Sequence, residues 1–580
     1  MLFWHYFSLS NLAWKNLKAQ FKVIFILTFC FFIAGCVQST SKSTSNPLQT
    51  LHPQSPLPLT ATTSPSQTAP PIPSESPTPT TSLVWLPPFL PEKIRLTFTL
   101  PVGYNLAVTP EEADITLELS GQSARPAIKW IYSLVAPFPT ITDGVTSEEL
   151  RSTWNGIPVP PFNDDPLLMD ESTLNVLTAL WGPPASPSIQ VLGADDLLDY
   201  AWSNRPSWAI IPFENLNPRW KVLMIDGQSP VRKDFDPSRY PLTMNYSFAG
   251  DGSLQPEVFN LAATNRDANK LTTVAMTGVT AMVRATAYTM ELKGITYPAE
   301  DIGPILADAN ITHVSNEIPF SPDCPFPSPK MDALVFCSSP SYIDLLKAVG
   351  TDIVELTGDH FMDYGPEATL YTLEMYDDLG WKYFGGGANA DEARQPVLLE
   401  NNGNKLAFMG CNVGCLVKNE IPCDAIATDS HPGAAQCDFT WISDQISTLR
   451  GDGYQVLFTF QHREYYTYTT EPILAYDFGQ IAAAGATIVS GSQAHQPHGF
   501  AFDNGTYIHY GLGNLFFDQY HFCADYACDN AFIDRHIFYD GQYISTELIT
   551  IHFVDTARSR LMTSEERAHF LEIMFKASGW

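Results

Sequence analysis

From residue 271 onward the apolar and polar positions repeat one pattern: a short apolar run, a turn loaded with polar residues, then usually a helix-periodic stretch. The apolar runs lie at 273–276, 311–314, 353–356, 406–409, 456–460, 486–489 and 507–510. Several are apolar at consecutive positions, as strands covered on both faces require. Gly365-Pro366 opens a helix predicted to run through Leu379. The earlier part of the chain alternates differently. Residues 130–140 read as a strand ending in a turn, and 145–154 as a capped helix closed by Asn155-Gly156. A strand at 188–192, a short helix opening at Asp195 and further strands across 208–230 complete an α/β unit. The polar stretch 260–269 suits a linker, so the expected domains are 83–262 and 268–580.

The first residues bear on the compartment. Lys15, Lys18 and Lys22 precede an apolar run at 23–35, the layout of a secretory signal and short for a membrane span. It ends in Ile33-Ala34-Gly35-Cys36, which resembles a bacterial lipobox. That resemblance implies a signal peptide over 1–35, cleavage before Cys36 and a lipid anchor on its thiol; an uncleaved anchor is the alternative, and both place the rest outside the cytoplasm. Residues 36–82 are mostly Ser, Thr and Pro, too poor in large apolar groups to offset their ordering entropy. They are expected to form an extended tether of roughly 100 Å or more, at ~3.1 Å per residue.

Charge narrows the partners. With 32 Lys and Arg against 62 Asp and Glu, the formal charge is −30, which argues against nucleic acid because phosphate backbones are bound by cations. An anionic substrate would therefore need a local cation, such as a metal. Eight cysteines, Cys324, Cys337, Cys411, Cys415, Cys423, Cys437, Cys523 and Cys528, lie in the second half. An even number on an exported chain reads as disulfides. A zinc site at Cys411, Cys415, Cys423 and Cys437 is the alternative, although its spacing matches no zinc ribbon or finger well.

Candidate chemistry gathers at the ends of the apolar runs. The run at 311–314 leads to Ser315-Asn316-Glu317, the run at 353–356 to Thr357-Gly358-Asp359-His360, and the run at 456–460 to Gln461-His462-Arg463-Glu464-Tyr465. Gly491-Ser492-Gln493-Ala494-His495 and Gly513-Asn514 follow the last two runs. A single histidine after a strand is commonplace, but repetition at successive strand ends indicates a site. Imidazole, carboxylate and amide oxygens suit Mn, Zn or Fe, and one or two such ions would polarise a phosphoryl or acyl group. Asp359, His360, His462 and His495 are the expected metal ligands. His360, His462 and Glu464 are the expected catalytic residues, and Glu317, Asn316 and Asn514 the substrate-binding ones.

Taken in order, these strand-end motifs, with Asp359 to Gly365 and Gly-Leu-Gly-Asn-Leu-Phe-Phe-Asp ending at Asp518, resemble the CapA family associated with poly-γ-glutamate capsule synthesis. The resemblance covers residues 271–518. It is similar in turn to calcineurin-like metallophosphatases, which implies a β-sandwich of two sheets flanked by helices and a dinuclear metal site. Three positions depart from the pattern: Val279 stands where the family carries Asp, Asp359 where it carries Asn, and Gln493 where it carries His. More weakly, the first half resembles type II solute-binding domains through residues 135–140, 208–213 and 240–242.

Two functions follow. One is a cell-surface, metal-dependent hydrolase acting on a cell-envelope polymer or a small phosphoester. The other is an envelope-polymer binding or assembly lipoprotein that retains an eroded metal site.

Overall fold

The structure is a computed structural model that describes residues 81–121, 126–250, 254–330, 334–414, 423–492, 494–519 and 528–580. The expected signal peptide, Cys36 and nearly all of the tether lie outside the described residues, as do Gln493, Cys415 and Cys523. Residues 77–580 form one compact unit. No helix among the described residues is long and apolar enough to cross a membrane.

The second half of the chain is a sandwich of two sheets flanked by helices. One sheet runs Lys382–Phe384, Ile353–Glu355, Ile311–Asn316, Leu271–Thr277, Asn530–Tyr539, Gln542–Val554 and Arg558–Leu561. The other runs Val397–Asn401, Asn404–Asn412, Gln455–Gln461, Ile488–Ser490, Thr506–Gly511 and His498–Asp503. Each expected apolar run from 271 onward corresponds to one of these strands.

The consecutive apolar pattern divides at period two between faces, as a pleated strand must. Leu406, Phe408, Leu457 and Tyr507 point between the sheets, where they meet Val274, Met276, Ile353 and Phe532. Ala407, Met409, Val456, Phe458 and Ile508 point outward under the helices Phe439–Gly451 and Pro472–Ala483. On the other sheet, Ala275, Val314 and Val354 face outward toward Leu345, Leu373 and Tyr376.

The first half builds a mixed sheet whose long strand, Ile128–Pro137, pairs with Thr243–Ala249, Trp208–Pro212 and Trp220–Val222. The predicted capped helix is Ser147–Trp154, with Thr146 and Glu149 forming a reciprocal capping box. The polar stretch expected to be a linker is instead laid against this sheet. Asn265 is buried, its amide exchanging hydrogen bonds with both the N–H and the C=O of Ile131 at 2.8 Å. Its Nδ2 also donates to Glu214.

Two disulfides are described, Cys324–Cys337 and Cys411–Cys437. Cys528 is also disulfide-bonded. The pairing of Cys411 with Cys437 removes two of the four thiolates that the alternative zinc site needs.

Candidate active site

Strand ends from both sheets converge where two parallel ladders finish side by side. Strand Ile311–Asn316 pairs with Ile353–Glu355 in the first sheet, and Gln455–Gln461 with Ile488–Ser490 in the second. The loops that follow approach so closely that glycine is obligatory in one of them. A Cβ on Gly358 would stand 2.6 Å from the backbone oxygen of Glu317 and 2.8 Å from its Cα. That contact sets Glu317 beside Asp359 and His360.

Glu317, Asp359 and His360 each present one ligand atom, and all three atoms lie within 4.8 Å of one another. Glu317 is buried; burial and the adjoining Asp359 carboxylate, to which it is hydrogen-bonded, push its carboxyl up to about 8. Nδ1 of His360 is held by Asp363 Oδ2 at 2.7 Å, which leaves Nε2 available. Burial pulls the His360 imidazole down, but Asp363, Glu317 and Asp359 outweigh it and raise it to about 9. Asp359 Oδ1 in turn accepts from Gln461 Nε2 at 2.8 Å, linking the triad to the second sheet.

Beside the triad, His495 Nδ1 lies 2.9 Å from Asn514 Oδ1, and its Nε2 lies 3.2 Å from Glu464 Oε1. Against the opposing effect of burial, the Glu464 charge raises His495 to about 9, and His495 lowers Glu464 to about 2. Tyr466 donates to the other Glu464 oxygen at 2.7 Å. The structure thus places His495 against Glu464 and outside the ligand triad, rather than as a fourth triad member.

Two expected residues are engaged elsewhere. His462 uses both ring nitrogens: Nδ1 accepts from the Arg463 N–H at 2.9 Å, and Nε2 lies 2.9 Å from Asp477 Oδ2. No lone pair remains for a metal, so His462 fastens the loop to helix Pro472–Ala483. Asn316 turns to the outward face, where Nδ2 donates to Ile318 O at 2.8 Å and Tyr376 Oη at 2.9 Å. Val279, at the position where the family carries Asp, is fully buried with Ala281, Val283, Ile318, Phe336 and Phe517, so an apolar cluster occupies that corner.

A cation that sequence reasoning missed sits at the edge of this cluster. Arg284 is buried, with a backbone φ of 49°, and its guanidinium lies over the rings of Phe336 at 4.4 Å and Phe517 at 5.1 Å. Its charge acts on Asp518, Glu317 and Glu464, and Nη1 donates to Gln519 at 3.1 Å. Nothing in the sequence marks it; the structure shows it at φ 49° opening helix Arg284–Lys293 just after strand Val279–Thr280. A cavity of about 210 Å³ opens from Arg284, with exposed Lys330, Phe326 and the Cys324–Cys337 disulfide along its wall.

Buried polar atoms support a ligand-binding role. Gln461 Oε1, Asn514 Nδ2 and Arg284 Nε have no hydrogen-bond partner among the described residues. The donor set fits a divalent metal: two carboxylates and an imidazole Nε2 whose other nitrogen is already held. Packed together without a cation, two carboxylates must share a proton, as the raised Glu317 shows.

The model of the bacterial capsule synthesis protein PGA_cap family matches residues 247–519. The capsule biosynthesis protein CapA of Bacillus anthracis is 24% identical over 256 residues, 43% of this chain, and the chain spans 61% of the length of that relative. Among solved structures, an ABC-type phosphate transport receptor from Vibrio cholerae overlaps at TM-score 0.21 and 14% identity, covering 24% of this chain and 66% of that one. A hypothetical protein from Thermus thermophilus overlaps at TM-score 0.29 and 11% identity, covering 49% and 99%. Overlaps that small place neither fold on this chain. The matched segment, residues 247–519, carries the ordered strand-end motifs and is similar to bacterial capsule synthesis proteins of the PGA_cap family and to CapA.

Proposed function

We propose that this protein is a metal-dependent hydrolase of capsule or cell-envelope polymer metabolism, held outside the cytoplasm by a lipid on Cys36. The observation that carries this reading is the Glu317, Asp359 and His360 triad, with ligand atoms within 4.8 Å of one another. Mn, Zn or Fe held there supplies Lewis acidity toward a phosphoryl or acyl oxygen. The chain's own groups do the rest. Asp363 fixes the His360 tautomer, and Asn514 fixes that of His495. The Glu464–His495 pair holds a proton between Oε1 and Nε2 and delivers it to a leaving group. Arg284 and Lys330 supply the local cations that an anionic substrate needs near a chain of charge −30. The substrate is an envelope polymer or a small phosphoester, and nucleic acid is not a partner.

The test is metal content measured with turnover. Purified protein incubated with Mn or Zn and then dialysed is expected to retain about one ion per chain, the number the triad supports, and to hydrolyse members of a panel of phosphoesters and γ-glutamyl peptides. His360→Ala is expected to lose both. Absence of a stoichiometric ion would sink the reading. A second reading is favoured by the apolar cluster around Val279, which leaves ligands for a single ion. On that reading the protein grips an envelope polymer without cleaving it, and bound metal with polymer retention but no turnover is its signature.

A further inference from the structure

A second cavity, of about 220 Å³, lies at the seam between the first-half sheet and the sandwich, away from the strand-end cluster. Asp143, Lys221 and Arg232 come from the first half; Ser545, Glu547 and Arg567 come from the second. The charges are arranged in two groups. Asp143 receives Lys221 Nζ at 2.7 Å and a two-pronged contact from Arg567, Nε at 2.7 Å and Nη2 at 2.8 Å. Glu547 receives Arg232 Nε at 2.8 Å and Arg535 Nη1 at 3.2 Å. Each carboxylate is thus matched to two cations, an excess of positive charge in a protein whose formal charge is −30.

Hydrogen-bond accounting shows where a ligand would be held. Lys221 Nζ already donates to Thr140 O at 2.6 Å and Ile141 O at 3.1 Å besides Asp143. The remaining Nη1 of Arg567 is used by Leu548 O and Thr550. The Arg232 guanidinium, by contrast, donates only through Nε among the described residues, so its two terminal amino groups stay open. Ser545 is 1% exposed, lines the same cavity and has no hydrogen-bond partner for Oγ among the described residues. An open guanidinium fork and a buried, unpartnered hydroxyl form a seat for one anionic group. Beyond Thr546 and Thr550 the rest of the wall is apolar, with Phe138, Leu571 and Phe575 among its side chains. The volume is below the roughly 300–1,000 Å³ typical of sites for larger ligands.

We propose that this seam binds a small organic carboxylate, its carboxylate on Arg232 and Ser545 and its apolar body against Phe138, Leu571 and Phe575. Because the anion-holding groups come from both halves, such a ligand bridges the first-half sheet and the sandwich and stabilises them together. The inference is independent of the proposed hydrolase activity.

Titration of the folded chain with phenylacetate, phenylacetamide and inorganic phosphate, read by calorimetry and by thermal shift, tests this. Phenylacetate is expected to bind at one site and raise the melting temperature, with the neutral amide and phosphate at least 10-fold weaker. Arg232→Gln is expected to weaken phenylacetate at least 10-fold and Ser545→Ala several-fold. Leu571→Trp, which leaves the charges intact, should block the cavity, and a far-ultraviolet spectrum confirms that each variant folds. Equal affinity for the amide removes the anion seat, and phosphate binding as tightly as phenylacetate removes the apolar body. Loss of phenylacetate binding in His360→Ala would assign it to the strand-end site and overturn the proposal, as would no binding at millimolar concentration.

Discussion

Nδ1 of His360 lies 2.7 Å from Oδ2 of Asp363, and that same oxygen accepts the backbone N–H of Phe336 at 2.8 Å. One carboxylate therefore orients the triad's imidazole and ties down the loop that walls the Arg284 cavity. Asp363→Asn is expected to lower Mn or Zn affinity by about 10- to 100-fold, the usual effect of losing a group that orients a metal-binding histidine. Calorimetric titration of both proteins checks it; an unchanged affinity would show that Asp363 serves only the loop.

Gly358→Ala places a methyl group 2.6 Å from the Glu317 carbonyl oxygen. Since that neighbour is backbone, the two loops must part. The expected cost is about 1–3 kcal/mol in urea denaturation, together with loss of metal binding. Retention of full metal affinity would contradict the close approach.

Between the sheets, Glu355 is fully buried and meets His313 Nε2 at 3.1 Å, Thr357 Oγ1 at 2.6 Å and Ser492 Oγ at 2.6 Å. Burial opposes its charge, but His313 and the two hydroxyls hold its carboxyl below the usual range. It fastens the loop bearing Asp359 to the loop bearing His495. Glu355→Ala is expected to destabilise by about 3–5 kcal/mol, as breaking one side of a buried pair does. Glu355→Gln, which keeps acceptor capacity, should cost markedly less. Equal losses in the two variants would rule out this account.

His536 is fully buried, with Nδ1 2.9 Å from Thr546 Oγ1; burial and the neighbouring His509 and His313 outweigh Asp534 and bring it down to about 4. The unfolded chain takes up a proton near 6.5, before the fold can. The contribution of neutral His536 is therefore complete above about pH 6.5 and lost as the pH falls toward about 4, on the order of 3 kcal/mol. Urea midpoints across that window are expected to fall less steeply in His536→Gln than in the wild type. Parallel slopes would show that His536 is not the titrating group.

The strands of the sandwich were legible because 456–460 and its companions are apolar on successive residues, which only doubly covered strands require. The convergence of Glu317, Asp359, His360, Glu464 and His495 was legible too, since strand-end position alone brings them near one another. Direction was not. His462 and Glu464 are two residues apart on one loop, yet His462 is claimed by Asp477, a helical residue that no motif marks. Asn316 and Glu317 are adjacent, but the pleat sends Asn316 to Tyr376 on the outward face. Arg284 carried no recognisable motif, because its role depends on two aromatic rings more than 50 and 230 residues away in sequence. The polar stretch around Asn265 looked solvated, because sequence shows polarity and not which carbonyl will use it.

Phe138 leaves the first-half sheet and enters the core between the two sandwich sheets, its ring within 6.0 Å of Phe500, Phe502, Tyr507 and Trp580. Trp202 packs edge-on against Phe502 and Trp580 from the same side. A shortened protein beginning near residue 268 would keep every strand-end ligand and still be damaged, with an unfilled hole at the Phe138 position and a wet aromatic face beside it. Biochemists seeking the smallest active piece should therefore carry the first half along, because the sandwich borrows part of its interior from it.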